Sequence, residues 1–149
     1  MKIIRINSHP GLDIYSAETA VEISLPYVDT GIRAGFPSPA DDFSYLSIDL
    51  NKELIKNKEA TFFARVKGDS MRDAGLEDGD LLVIDRSLEP ENGKIAVCYI
   101  DGEFTVKRIK IDRDIIWLMP ENQDYPPIQV TPENELIIWG IVTAVIKFM

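Results

Sequence analysis

The stretch "KGDSMRDAG", Lys67 to Gly75, sets one serine between an acid and a methionine at the end of the apolar run "TFFARV". Gly, Asp and Ser are ordinary residues of a strand-ending turn, so nothing in the local composition makes Ser70 more than punctuation. As a nucleophile it would need a neighbouring base, because a serine hydroxyl keeps its proton at neutral pH. The usual base is histidine, and the sequence has one, His9. It sits in a segment without regular pattern and reads as a solvated surface residue. A lysine can serve instead where burial disfavours its ammonium form. The segment "GEFTVKRIK" offers a candidate: strand alternation puts Thr105, Lys107, Ile109 and Ile111 on one face, and Phe104, Val106, Arg108 and Lys110 on the other. Lys107 then shares a face with two isoleucines while its basic neighbours point away. The competing reading is an edge-strand lysine that snorkels to solvent.

The elements that would position these two residues read as β. With 149 residues, 45% hydrophobic and 28% charged, the chain is long enough for one domain with a real core. The segments "ATFFARV", "DLLVID", "KIAVCYI", "EFTVKRIKI", "IIWLMP", "IQV" and "LIIWGIVTAVIKF" are short, β-branched and aromatic, and turn signals such as "EDGD", "ENG" and "DG" separate them. Gly79-Asp80 forms the turn before a core strand. One short helix is predicted in "IDLNKELIKN", with apolar Ile48, Leu50, Leu54 and Ile55 and with Asp49 or Asn51 as its cap. Residues 1–40 show neither a helical period nor a clean strand series. They end in "GIRAGFPSPADD", where Gly31, Gly35, Pro37 and Pro39 crowd together. This reads as an arm and a linker ahead of a mostly β body.

Charge and composition exclude several functions. A net charge of −9 argues against affinity for a phosphate backbone, which needs a basic surface to displace counterions. Residues 35–149 carry 13 Lys and Arg against 21 Asp and Glu, so the acidity belongs to the β body. Lys107, Arg108, Lys110 and Arg113 form a small basic cluster of the kind found on solvated strand edges. Cys98, inside "IAVCYI", reads as a small buried thiol in a reducing compartment. No apolar stretch approaches a membrane span and no secretory signal is present, so a cytoplasmic location is expected. No cofactor or metal is expected. The closing run "LIIWGIVTAVIKFM" has more apolar residues than one face of a small sheet usually hides; it is either part of a dimer interface or a doubly buried strand.

The motifs "VKGDSMRDAGLEDGDLLVID" and "NGKIAVCYIDGEFTVKRI" resemble those of the self-cleaving serine peptidases of the SOS response, the LexA/UmuD family. "AGFPSPADDFSYLSIDLNKELIKN" is similar to the UmuD branch of that family. The likeness runs from about Gly31 to the C-terminus. It implies a β-rich peptidase domain over 35–149 behind an N-terminal arm, 1–34, that is removed by self-cleavage. It also implies that Ser70 of "GDSM" is the nucleophile, that Lys107 of "FTVKR" is its general base, and that the bond cut is Ala34-Gly35. UmuD-like chains often have cysteine before that glycine; the alanine here is also small. Glycine after the bond and prolines beyond it suit an extended segment that can lie in a cleft. The backbone amide of Ser70 is the candidate donor to the oxyanion on Ala34. The resemblance further implies a homodimer, cleavage stimulated by a RecA nucleoprotein filament, and association of the trimmed form with a UmuC-like, Y-family DNA polymerase.

Three rivals are weighed against this. A LexA-like or phage repressor needs a helix-turn-helix before the peptidase core, and 34 residues interrupted by Pro10, Gly11, Pro26 and Gly31 leave no room for one. A signal peptidase also uses serine and lysine, but needs a membrane anchor. A non-catalytic, dimeric interaction module would keep Ser70 and Lys107 idle.

Overall fold

The computed structural model describes residues 2–9, 12–18, 24–28 and 45–149. Ala34 and Gly35 lie outside the described residues. Eleven strands are described: β1 Lys2–His9, β2 Leu12–Glu18, β3 Ser24–Val28, β4 Tyr45–Asp49, β5 Thr61–Val66, β6 Leu81–Asp85, β7 Ile95–Ile100, β8 Glu103–Asp112, β9 Ile115–Met119, β10 Ile128–Gln129 and β11 Leu136–Ile146. Nine form one sheet in the order β1-β2-β5-β6-β11-β7-β8-β9-β10, and β3 pairs with β4 separately. All pairings are antiparallel. The protein is mostly β, as the strand pattern predicts.

Helix α1, Leu50–Leu54, is the short helix expected, and the cap is Asp49, whose Oδ1 accepts from Asn51 N at 2.9 Å. Ile48, counted toward the helical pattern, instead belongs to β4. Gly79 adopts φ +89° and its N–H donates to Val66 O, which turns the chain into β6, a strand buried along its whole length.

The first 28 residues depart from the sequence reading. The segment without strand pattern carries β1, β2 and β3, and β2 is built into the core: Leu12 and Ile14 pack with Ala64, Val66, Leu82, Ile84 and Val97. Local pattern missed it because only five residues of β2, "LDIYS", pair with β5, and that strand lies some fifty positions away. His9 stands at the end of β1, not in an irregular segment.

The closing run is β11, the central strand that joins the two halves of the sheet. It pairs with β6 through Ile141–Ile146 and with β7 through Leu136–Ile141, with a register shift in each ladder. A Cβ at Gly140 would lie 2.5 Å from Ile84 Cγ2, so the strands approach there only because the residue is glycine. The run is not doubly buried: Ile137 is 56% and Phe148 72% exposed.

Candidate functional site

Ser70 follows the end of β5, in the turn that Gly68 opens. Gly68 has φ +91°, a left-handed conformation that glycine adopts without strain, and its N–H donates to Asp78 Oδ1 at 2.8 Å. Met71 is buried in the core directly after Ser70, which anchors the turn. Lys107 comes from the middle of β8, opposite Ala96 of β7. The fold brings the two together across 37 positions of sequence: Lys107 Nζ donates to Ser70 Oγ at 2.8 Å.

The face assignment made from alternation holds for Lys107, which is 6% exposed, and for Ile109, which is buried. Ile111, on the same face, is exposed instead. The basic cluster does not share a surface. Lys107 is inside, Arg108 donates to Glu121 Oε1 and Gly93 O, Lys110 is exposed, and Arg113 sits at φ +57° in the β8–β9 hairpin turn.

Burial lowers the pKa of Lys107 by disfavouring its ammonium form, and only a charged Cys98 would oppose this. Cys98 is itself fully buried, and desolvation pushes its thiol up to about 12, so it stays neutral beside the lysine. Lys107 Nζ has two further partners, Thr105 Oγ1 at 2.8 Å and Val106 O at 3.0 Å. In the ammonium form three N–H groups serve three acceptors. In the amine form two N–H groups remain for Thr105 and Val106, and the lone pair faces Ser70 Oγ. Such an arrangement is able to accept the hydroxyl proton once the lysine is neutral. A cavity of about 60 Å³ adjoins Ser70, lined among others by Gly68, Met71, Leu76, Phe104 and Val106. Among the described residues no group of three or more His, Cys, Asp or Glu side chains is placed to hold a metal. No helix among them is long and apolar enough to cross a membrane.

Sequence reading missed a second segment at the site, "ENQDY" after β9. Glu121 N donates to Ser70 O at 2.8 Å, and Asn122 Nδ2 donates to Asp69 O at 2.9 Å. Glu121 O accepts from Asp73 N at 2.7 Å, and Tyr125 Oη donates to Asp69 Oδ1 at 2.6 Å. Asn122 is buried. Across a planar trans peptide the N–H points opposite the C=O, so holding Asp69 O fixes the direction of the Ser70 N–H, and holding Ser70 O fixes that of Met71. Among the described residues neither N–H donates a hydrogen bond. Asn and Asp beside Pro120 read locally as a turn; only the long-range contact distinguishes them.

Comparison with known proteins gives this arrangement its context. Residues 26–143 match the family model described as Peptidase S24-like. The chain belongs to that family. It is 42% identical over 134 residues to Protein MucA of Salmonella typhimurium, a span covering 89% of this chain and 91% of that protein. It is 45% identical over 126 residues to Protein SamA of Salmonella typhimurium, covering 85% of this chain and 87% of that one. Against Protein ImpA of Escherichia coli the identity is 46% over 114 residues, 76% of this chain and 77% of the relative. These are UmuD-like relatives within the LexA/UmuD family, and each match spans most of both chains.

Proposed function

We propose that this S24-like chain is a serine peptidase that cuts its own Ala34-Gly35 bond, with Ser70 as nucleophile and Lys107 as general base. The observation that carries the reading is the buried Lys107 amine 2.8 Å from Ser70 Oγ. Neutral Lys107 takes the hydroxyl proton as Ser70 Oγ attacks the Ala34 carbonyl. The Ser70 amide stabilises the oxyanion. Lys107 then returns the proton to the Gly35 amine as the peptide bond breaks, and water hydrolyses the acyl-serine by the same route. The cavity beside Ser70, about 60 Å³, has room for a methyl before the scissile bond.

The trimmed form, 35–149, serves in SOS mutagenesis as the subunit of an error-prone, Y-family polymerase. The chain acts as a homodimer in the cytoplasm, its cutting stimulated by a RecA filament. The exposed apolar residues at the end of the chain, Val145, Phe148 and Met149, supply a surface for the dimer. A filament would act by favouring the arrangement in which the arm lies in the site and Lys107 is dry.

The test is to incubate purified wild-type chain alone and weigh the products. Fragments 1–34 and 35–149 are expected, and none from Ser70→Ala. Products ending elsewhere, or cutting by Ser70→Ala, would overturn the assignment.

A further inference from the structure

The arm that the cut would release is held in the sheet. β2 pairs with β5 from Leu12–Val66 to Ser16–Phe62. Leu12 and Ile14 are buried in the cluster that also contains Met71 and Val106, the residues flanking Ser70 and Lys107 in sequence. Tyr15 packs against the opposite cluster with Phe63, Leu81 and Val83, so β2 fills both faces. Asp13 adds an ion pair with Lys67 at 3.2 Å. Hydrolysis of a bond at position 34 breaks none of these contacts.

It changes their statistics. While the chain is continuous, β2 is presented to β5 at an effective concentration of order millimolar; once cut, the same strand is a separate peptide that dissociates and must compete. Removing it leaves β5 with a row of unpaired N–H and C=O groups and with the places of Leu12 and Ile14 empty, a template for strand addition.

We infer that the edge of β5 is a strand-acceptor site, closed by β2 in the intact chain and opened to exchange by the cut, and that its occupant in the trimmed form is an extended segment of a partner protein. The chemistry of that segment is read from the strand it replaces: apolar side chains at alternate positions, as at Leu12 and Ile14, with an acid between them to meet Lys67. Its role as a switch rests on the self-cleavage proposed above, but the site itself does not.

The test therefore uses full-length Ser70→Ala chain with the recognition sequence of a site-specific endoprotease in place of residues 30–36, so that the cut is made from outside. After cutting, fragment and body are expected to co-elute from a sizing column at high micromolar concentration. A fluorescein-labelled peptide spanning residues 10–20 should enter the cut protein at least tenfold faster than the uncut one, read by anisotropy. The same peptide with Leu12→Asp and Ile14→Asp should not enter. Binding that is equal before and after the cut, or absent after it, overturns the inference. A mass that doubles by light scattering on cutting, with the peptide excluded, assigns the edge to a second copy of the chain and also overturns it. Should the cut body precipitate, hydrogen exchange on the uncut chain decides: Leu12→Asp should speed exchange at 62–66 at least tenfold, and no change there refutes the site. Wild-type chain that never cuts itself would overturn the self-cleavage reading and leave these results standing.

Discussion

Lys107 and Ser70 meet at 2.8 Å but are held in opposite ways. Lys107 stands in the middle of a ten-residue strand, paired with Ala96 of β7 and one residue before the ladder with β9 begins, so its direction follows from the pleat and its dryness from the sheet around it. Ser70 stands in a turn with no ladder, and its direction follows from a left-handed glycine, a buried methionine and hydrogen bonds from "ENQDY". A strand supplies burial; a clamped loop supplies access and exposed N–H groups. On the proposed function, the strand would tune the pKa of the lysine and the loop would aim the serine, so changes to the two supports should act differently.

The largest expected effect removes either side outright. Ser70→Ala and Lys107→Ala should each lower self-cleavage by about a thousandfold or more, and the double variant should be no worse than either single one, since the two act as a unit. Additive losses would mean that the residues act separately. In the wild type the rate should rise with pH and level off above the lowered pKa of Lys107, because only the amine accepts the proton. A rate flat from pH 6 to pH 10 would remove the lysine from the step.

Next comes the clamp. Asn122→Ala removes the side-chain hold on the Asp69 carbonyl, leaving it only the Arg72 N–H, while Lys107 stays dry, so the plateau rate should fall about ten- to a hundredfold with the pH midpoint unchanged. A shifted midpoint with an unchanged plateau would show that the loop, too, works through the lysine.

Two glycines sharpen the comparison through stability. Gly140→Ala meets the buried Ile84 at 2.5 Å and should cost about 1–3 kcal/mol in urea unfolding, as overpacking does. Gly68→Ala meets nothing within 4 Å and costs only its φ of +91°, about 1 kcal/mol, but it should slow cutting because it lies in the serine loop. Equal effects of both on the rate would mean that the loop is no more demanding than the sheet.

The smallest effect concerns the stability cost of the dry lysine. Its folded pKa is lowered, so between that value and the unfolded one, near 10.4, the unfolded chain binds the extra proton and stability rises with pH. The penalty is full below the folded pKa and gone above the unfolded one. Lys107→Met should therefore melt higher than wild type at pH 7, by on the order of 1 kcal/mol, with the advantage shrinking toward pH 10. A variant less stable at pH 7 would indicate that the hydrogen bonds of Lys107 outweigh its desolvation.

The strands from β5 to β11, the turn at Gly79 and the short helix were legible because each is a local matter: side chains alternate and glycine permits positive φ; the cap, left between Asp49 and Asn51, is Asp49. The face on which Lys107 lies was legible for the same reason, and its place in the family followed from motifs in order. Sequence alone left open whether Lys107 was buried, since alternation gives a side chain's face but not what covers that face; Ile111, on the same face and exposed, shows the difference. The tertiary structure decided what no local rule encodes. It set the meeting of positions 70 and 107, the hold of Asn122 on the serine loop, and the incorporation of β2, whose "LDIYS" becomes a core strand only because β5 offers an edge and two places to fill. Each of these is a contact between distant segments, and its free energy exists only when both are present.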